Sequence, residues 1–318
     1  MDTAPSRQRI DAHLHFWHYS ARDYPWIGDG MQALAVDCTP EQVLPQLDAC
    51  GLTGAIAVQA RGSVDETRYL LDLARRHGGI CGVVGWEDLA CDGIGERLQS
   101  WRAEPALCGW RHQVQDEPDA SAFLRSAAFA RGLSVLQRQG WAYDVLVFDH
   151  QMDAAAALCA RHDTHWMVLD HLGKPPLARL ARDQNKGQGQ GQAAFGRWQA
   201  SLQRFAPLSH VVCKLSGLVT EADWRSGLRE PDRACLLQCL DTALQVFGPH
   251  RLMFGSDWPV CLLAAPYATV FELVDGWASS RLSASEREAL WGDTAVRCYG
   301  LRPRQALPKP QERPPSWT

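Results

Sequence analysis

Eight short apolar segments, rich in Val, Ile, Leu and Cys, recur along the chain with helix-sized intervals between them. They span residues 9–15, 54–60, 80–86, 107–113, 142–148, 165–173, 210–217 and 251–258. A nearly continuous apolar strand indicates burial on both faces, and intervals of about 23 to 45 residues between strand starts leave room for a crossover helix each time. The pattern therefore predicts parallel β/α alternation.

The segments between the predicted strands carry helix signals. Segment 39–50 opens with Thr39 followed by Pro40, a capping residue and a proline in the first turn. Segment 65–77 has acidic residues in its first turn and basic residues in its last, and Gly78 follows it. Both segments are long enough to cross from one strand to the next.

Eight strands and eight intervening segments over about 250 residues match the size of a (β/α)₈ barrel, also called a TIM barrel. An open doubly wound sheet is the alternative. It would have fewer strands and a glycine-rich phosphate loop after the first, and neither G-x-G-x-x-G nor G-x-x-x-x-G-K-[ST] occurs in the chain. We therefore predict a single-domain α/β TIM barrel over residues 9–301. The Gln- and Gly-rich stretch 183–192 predicts a mobile surface loop, and residues 302–318 a proline-rich tail outside the core.

Composition and charge exclude several classes of protein. With 32 Lys and Arg against 36 Asp and Glu the net charge is −4, and the basic residues are scattered, which excludes a nucleic-acid-binding protein. The apolar runs are strand-sized, well short of the roughly 20 residues of a membrane helix, and the N-terminal residues do not form a signal peptide. The eleven cysteines lie singly without a C-x-x-C pair, which indicates reduced thiols. We therefore expect a cytoplasmic protein without a membrane partner.

Polar residues stand at the C-terminal end of nearly every predicted strand, where barrel enzymes place their active sites. His13 and His15 end the first strand and, being two residues apart, point to the same side. Two imidazoles on one face of a buried strand each need a partner for their nitrogens, and a catalytic centre is the commoner reason to bury them. The other candidates at strand ends are Arg111, His112, Asp149, His150, His171, Lys214, Ser216 and Asp257.

Several of these candidates have two interpretations. Arg111 and Lys214 either form salt bridges inside the barrel or contact a substrate. The fifth strand directs either Asp149 or His150 inward. The tryptophans near the polar motifs either pack over the barrel rim or offer stacking surfaces to a substrate; they are Trp26, Trp86, Trp110 and Trp258.

Six motifs together resemble a known family. They are D-A-H-L-H-F-W (11–17), D-Y-P-W-I (23–27), G-W-R-H-Q-V-Q-D-E-P (109–118), V-L-D-H-L-G-K-P (168–175), K-L-S-G-L (214–218) and G-S-D-W-P (255–259). In this order they resemble the amidohydrolase-related (amidohydrolase 2) family, and within it the branch of sugar lactonases such as L-fuconolactonase and L-rhamnonolactonase. The resemblance covers Arg9 to Leu301.

The resemblance implies a TIM-barrel hydrolase that opens a sugar-acid lactone, such as L-fuconolactone or a related aldonolactone. Asp257 would act as general base on the attacking water, and His13, His15 and His171 would surround the reacting carbonyl. In metal-dependent relatives such groups bind divalent ions. Here Arg111 stands where a bridging Lys or Glu would stand, which argues against two metals. The resemblance implies at most one ion, zinc foremost.

The ligands of that zinc would be His13, His15 and Asp257, joined by His150 or His171, and catalysis without a metal is the alternative. A protonated histidine, Arg111 or Lys214 would then stabilise the oxyanion. His171 or His112 would protonate the leaving oxygen. The small-molecule substrate would contact Trp26, Trp86, Trp110, Trp258 and His150.

Two other functions compete with the sugar lactonase. The first is a decarboxylase, a hydratase or a hydrolase of an aromatic-derived lactone (muconolactone or pyrone) in the same superfamily. A dicarboxylate substrate requires two or more arginines at the barrel mouth, and near the motifs we find mainly Arg61 and Arg111. The second is a binding protein without turnover, which the histidine pair and Asp257 make a poor explanation.

Overall fold

The computed structural model describes residues 8–186 and 189–302, and within them eight parallel β-strands form one sheet. The strands are β1 (Ile10–Leu14), β2 (Gly54–Val58), β3 (Ile80–Gly85), β4 (Leu107–His112), β5 (Ala142–Val145), β6 (Met167–Leu169), β7 (Val211–Leu215) and β8 (Leu252–Phe254). Each pairs with the next in chain order. All eight lie inside the apolar segments of the sequence, so the predicted order is confirmed.

The sheet closes where the first strand meets the segment after the last. Leu14 and Trp258 form a parallel bridge. The backbone N–H of His15 donates to the Trp258 carbonyl at 2.7 Å, and that of Asp257 donates to the His13 carbonyl at 2.8 Å. The predicted TIM barrel is therefore confirmed, and its closing seam joins the two stretches that carry the H-x-H pair and Asp257.

Helices surround the barrel. Within the described residues they are α1 (Pro40–Ala49), α2 (Val64–Arg76), α3 (Ile94–Ser100), α4 (Ala120–Arg125), α5 (Ala127–Arg138), α6 (Met152–Arg161), α7 (Leu177–Lys186), α8 (Gln190–Gln203), α9 (Leu218–Glu221), α10 (Glu230–Phe247), α11 (Tyr267–Arg281), α12 (Ala284–Glu288) and α13 (Thr294–Tyr299). Both helices predicted from their caps form. Gln42 accepts from the Thr39 N–H at 2.7 Å before α1, and Ser63 caps α2.

Alternation along the strands divides the apolar side chains into two layers. One layer fills the barrel interior with small and branched residues such as Ala12, Ile56 and Val58. The other packs between the sheet and the helices, as Leu14 does beside the two histidines. Tyr299, the last residue of α13, closes the lower end of the interior. The upper, C-terminal end is left for polar side chains.

The prediction of a mobile loop over 183–192 is wrong for most of its length. Helix α7 continues to Lys186 and α8 begins at Gln190, where it buries Phe195 and Trp198. These apolar side chains stabilise α8 by packing, which composition alone does not show. Residues 187 and 188 lie outside the described residues, as do residues 303–318 of the predicted tail.

No helix among the described residues is both long and apolar enough to span a membrane. All eleven cysteines lie in the described part of the chain, where they are free thiols, and most are buried.

Candidate functional site

The C-terminal ends of the strands surround a cavity of about 320 Å³, a volume typical of small-molecule sites. Of the catalytic candidates, its wall contains His15, Arg111, His171 and Asp257. The loops add aromatic and polar side chains, among them Trp26, Phe148, Trp224, Gln113, Gln115, Asp116, Lys174 and Glu221. The cavity therefore combines titratable groups at its base with a mixed apolar and polar rim.

Three side chains from the barrel seam meet at the base of this cavity. The Nε2 atoms of His13 and His15 are 3.2 Å apart, and Oδ1 of Asp257 lies 3.2 Å from Nε2 of His15 and 3.7 Å from Nε2 of His13. Nδ1 of His15 lies 2.8 Å from the Val58 carbonyl oxygen. Since a carbonyl only accepts, Nδ1 of His15 carries a ring hydrogen, and Nε2 is the atom directed at Asp257.

The carboxylate of Asp11 holds this arrangement in place through hydrogen bonds. One of its carboxylate oxygens accepts from the backbone N–H groups of His13, at 3.1 Å, and Ser256, at 2.9 Å, and the other accepts from the Tyr267 hydroxyl at 3.0 Å. Burial raises the pKa of Asp11 to about 6. The carboxylate therefore joins β1 to the segment after β8 and keeps the histidine pair opposite Asp257.

The backbone of Asp257 has a φ of 59°, in the left-handed region that L-residues rarely adopt. Such a conformation costs on the order of 1 kcal/mol and is typical of residues whose side chains are held for function. Burial alone would raise the pKa of Asp257, but His171 opposite it and the hydrogen bond to His15 outweigh burial and lower that pKa overall. The carboxylate is therefore ionised near neutral pH.

His171 reaches the cavity from a 3₁₀ turn after β6, with a φ of 53°. Its Nδ1 lies 2.8 Å from the Ser216 hydroxyl oxygen. Gly217 follows with a φ of +64°, and a Cβ there would come within 2.5 Å of Nδ1 of His171. Burial lowers the pKa of His171 to about 4, so the ring is neutral near pH 7. The motif K-L-S-G-L thus supplies a hydrogen-bonding partner for His171 and the space that its ring occupies.

Lys214 lies inside the barrel rather than on the cavity wall. Its fully buried Nζ lies 2.5 Å from Oδ2 of Asp144, 3.1 Å from Oδ1 of Asp170 and 3.1 Å from Nδ1 of His13. Of the two interpretations that the sequence allows for Lys214, the structure supports the internal salt bridge.

Arg111 forms an internal salt bridge and also borders the cavity. Its Nη1 lies 3.0 Å from Oδ2 of Asp170 and 3.3 Å from Nε2 of His13, and its Nη2 donates to the Gln59 carbonyl. It also lines the cavity. Together with Lys214 it contributes two buried cations, and Asp144 and Asp170 contribute two buried carboxylates, so the charges inside the barrel balance.

His13, His15 and Asp257 fit a single metal ion. Ligand atoms about 2.1 Å from a tetrahedral zinc lie about 3.4 Å from one another, and the three observed separations are 3.2, 3.2 and 3.7 Å. In addition, Oδ1 of Asp170 is a buried acceptor 3.4 Å from Nδ1 of His13 and 3.1 Å from Nζ of Lys214. A hydrogen on that Nδ1 would leave Nε2 free to bind a metal.

Two of the predicted histidines, His112 and His150, lie away from both the cavity lining and the cluster of His13, His15 and Asp257. His112 accepts from the Trp86 indole N–H at 3.1 Å, and its Nε2 lies 2.6 Å from Glu117. Neighbouring strand residues point to opposite faces, so Arg111 in the interior places His112 outside. His150 lies in a 3₁₀ turn after β5 and its side chain is 71% exposed. These placements argue against His112 as proton donor and His150 as ligand or substrate contact.

Of the four predicted tryptophans, Trp26 lines the cavity and the others do not. Trp110 points away from the barrel interior and packs edge-on against two further tryptophans. Trp258 is buried against Phe16, and Trp86 lies beside His112. For these three the structure supports packing rather than substrate contact.

The sequence arguments missed several residues. Asp170 comes directly after a buried strand. Because Asp257 was predicted from the same feature, Asp170 could also have been found from the sequence. Lys174 lies in the same motif, and its Nζ is 5.0 Å from the centre of the Phe148 ring and 3.9 Å from Oε1 of Glu221. Glu221 belongs to no motif. Burial raises its pKa to about 7.

Comparison with known proteins identifies relatives over nearly the whole chain. The amidohydrolase family profile matches residues 10–301. A Burkholderia multivorans protein named L-fucono-1,5-lactonase is 56% identical over 304 residues, 96% of this chain and 98% of its own length. A Burkholderia ambifaria protein of the same name is 32% identical over 92% of this chain and 96% of its own. A crystal structure of a B. multivorans amidohydrolase with bound zinc has a TM-score of 0.87 and 56% identity, covering 93% of this chain and 100% of that one.

Proposed function

Because this chain belongs to the amidohydrolase family, as its motifs predicted, we propose that it hydrolyses the lactone of a six-carbon sugar acid, with L-fucono-1,5-lactone as the first candidate. The observation that carries the proposal is the position of Asp257. Its ionised carboxylate lies at the base of a small-molecule cavity, in contact with His15 and beside His171. The 56% identity to a protein named for this reaction supports the same substrate class.

The charges of the cavity wall favour a neutral substrate over a dicarboxylate. Among the described lining residues the full cations are Arg111 and Lys174. Arg111 is bound to Asp170, and Lys174 faces Glu221. Each cation is thus already paired with a carboxylate, so the described wall offers no surplus positive charge for two substrate carboxylates, which argues against a pyrone dicarboxylate. A sugar lactone instead offers hydroxyl groups, which we assign to Gln113, Gln115, Asp116, Lys174 and Glu221 at the rim, with Trp26, Phe148 and Trp224 as apolar surfaces.

We assign one zinc ion to His13, His15 and Asp257. Their donor atoms have the spacing and chemical type that zinc prefers, and a 56% identical amidohydrolase was crystallised with zinc. When bound, zinc supplies a Lewis acid that polarises the carbonyl and lowers the pKa of water.

Asp257 acts as the general base that takes a proton from the attacking water. The histidine pair orients its carboxylate, and the left-handed backbone aims it into the cavity. Arg111, on the same wall, places its positive charge toward the oxyanion of the tetrahedral intermediate.

His171 completes the cycle by protonating the ring oxygen as it leaves. With a pKa of about 4 the ring is neutral at neutral pH, so it delivers the proton that Asp257 takes from the attacking water and passes on to it. The Ser216 hydroxyl holds Nδ1 at 2.8 Å and thereby fixes the orientation of the ring.

A pH-indicator assay across six-carbon aldonolactones, with and without a chelator, tests this function. We expect fast opening of at least one deoxy-sugar lactone, loss of activity with the chelator and recovery with added zinc. Activity that survives complete zinc removal would overturn the metal assignment alone. No turnover of any aldonolactone, with turnover of a pyrone or muconolactone, would overturn the substrate class.

A further inference from the structure

Nδ1 of His13 has two neighbours that place opposite demands on it. Nζ of Lys214, at 3.1 Å, is an ammonium that can only donate, so it requires a lone pair on Nδ1. Oδ1 of Asp170, at 3.4 Å, can only accept, so it requires a hydrogen on Nδ1. A neutral imidazole carries one hydrogen and can satisfy only one of the two neighbours at a time.

The present geometry favours the hydrogen bond between Lys214 and Nδ1 of His13 over the one between Asp170 and that atom. Nζ of Lys214 lies 3.1 Å from Nδ1 of His13, closer than Oδ1 of Asp170 at 3.4 Å, and that oxygen is itself 3.1 Å from Nζ. Lys214 forms ion pairs with the buried carboxylates of Asp144, at 2.5 Å, and Asp170, at 3.1 Å, so it is an ammonium. The hydrogen of the His13 ring is then on Nε2, directed at His15 and Asp257, while the neighbouring Nη1 of Arg111, 3.3 Å away, donates to Oδ2 of Asp170 at 3.0 Å.

Binding of a metal moves the ring hydrogen of His13 to the other nitrogen. Nε2 of His13 binds zinc only through a lone pair, so the ring hydrogen must then be on Nδ1. Its acceptor is already in place, because Oδ1 of Asp170 lies 3.4 Å from Nδ1.

We propose that Lys214 and Asp170 are positioning residues that compete for Nδ1 of His13 and thereby set its affinity for zinc. Lys214 stabilises the metal-free form, with hydrogen on Nε2. Asp170 stabilises the metal-bound form, with hydrogen on Nδ1. On metal binding the ring loses the Nε2 hydrogen and gains one at Nδ1, so it stays neutral and releases no net proton. The inference rests on the proposed zinc site.

The direct test is long-range ¹H–¹⁵N correlation NMR of the full-length protein with ¹⁵N-labelled histidine. A His13→Gln variant assigns the His13 signals among the eleven histidines. Without metal we expect His13 in the Nε2–H form, and after one equivalent of Zn²⁺ in the Nδ1–H form with a shifted Nε2. A metal-free His13 already in the Nδ1–H form overturns the inference. A spectrum that zinc leaves unchanged at every histidine overturns the zinc site itself, while the metal-free form still tests Lys214.

Zinc affinities of three variants, measured by competition with a chromophoric chelator, separate the hydrogen-bond effect from simple charge. In Asp170→Asn the amide oxygen stays on Arg111, so the amide N–H points toward Nδ1 of His13. The ring hydrogen of His13 is then kept on Nε2, and we expect the affinity for zinc to be at least about tenfold lower. Lys214→Met removes the donor, and we expect affinity to rise. Asp144→Asn is the matched control, since it loses the same charge without touching His13.

If charge alone sets the affinity, Asp144→Asn and Asp170→Asn weaken zinc equally, and the inference is overturned. If the inference holds, the Asp144 variant retains most of its affinity and the Asp170 variant keeps the Nε2–H spectrum even with zinc present. Should Lys214→Met fail to fold, the wild-type spectra and the two asparagine variants still decide the question.

Discussion

Nδ1 of His15 donates to the main-chain carbonyl of Val58, one strand away, at 2.8 Å. A side chain on β1 is thus oriented by the backbone of β2, which no side-chain substitution removes. Nε2 of His15 is therefore held in the direction of Asp257, 3.2 Å from its Oδ1.

Asp257→Asn tests the general base. Asparagine tolerates the left-handed backbone at this position, so the fold is expected to persist. An amide cannot take the proton of water, and we expect kcat to fall by at least about 10²-fold. An assay of lactone hydrolysis measures kcat, and circular dichroism shows whether the fold persists. Asp116→Asn, on the same cavity wall, is the control and should change mainly KM; an Asp257 variant with full activity contradicts the assignment.

His171 and His112 were both candidates for the proton donor, and the structure separates them. His171→Asn removes a ring from the cavity wall, and kcat should fall by about 10² to 10⁴-fold. His112→Asn breaks contacts with Trp86 and Glu117 outside the cavity, so it should lower the melting temperature with little change in kcat. Steady-state kinetics and thermal melts distinguish the two variants. A larger fall in kcat for His112→Asn than for His171→Asn would restore His112 as the proton donor.

Glu221 predicts a pH dependence of substrate binding. Burial raises its pKa to about 7, so it ionises as the pH rises through neutrality and becomes a stronger acceptor for substrate hydroxyls. KM for the sugar lactone should therefore fall between about pH 6 and pH 8. In Glu221→Gln that inflection should be absent. A variant with the wild-type KM profile would show that Glu221 does not contact the substrate.

Glu66 predicts a pH dependence of stability. Its buried carboxylate accepts from the backbone N–H groups of Ala60 and Arg61 and from the Tyr24 hydroxyl, and burial raises its pKa to about 7. Because the folded pKa lies above the unfolded one, Glu66 contributes most stability below about pH 4.5, and this contribution is lost as the pH rises to 7. The change is on the order of 3 kcal/mol.

Glu66→Gln keeps an acceptor oxygen but cannot ionise. Its free energy of unfolding, relative to wild type, should therefore increase from pH 5 to pH 8, measured by urea denaturation. A constant difference across that range would mean that the carboxylate is not strained by its burial.

Much of this architecture was predictable because local sequence patterns encode it. Buried strands are short apolar runs, and a polar residue at the end of such a run, like His13 or Asp257, signals the mouth of a barrel. The same alternation, applied consistently, would also have moved Trp110 and His112 to the outer face once Arg111 was placed inside.

The partners of Lys214 were not predictable. Asp144, 70 residues away, and Asp170 come from β5 and the turn after β6, and only closure of the barrel brings them together. The exposed position of His150 likewise depends on β5 ending at Val145 and a turn following, which an apolar run up to residue 148 conceals.

Tyr299, which closes the lower end of the barrel, donates its hydroxyl to both oxygens of Asp144, at 2.8 and 3.0 Å. Asp144 in turn holds Lys214, which reaches His13 near the beginning of the chain. During synthesis on the ribosome, the carboxylate of Asp144 lacks this donor until residue 299 has emerged. The reactive centre can therefore reach its final hydrogen-bonded form only when translation of the domain is almost complete.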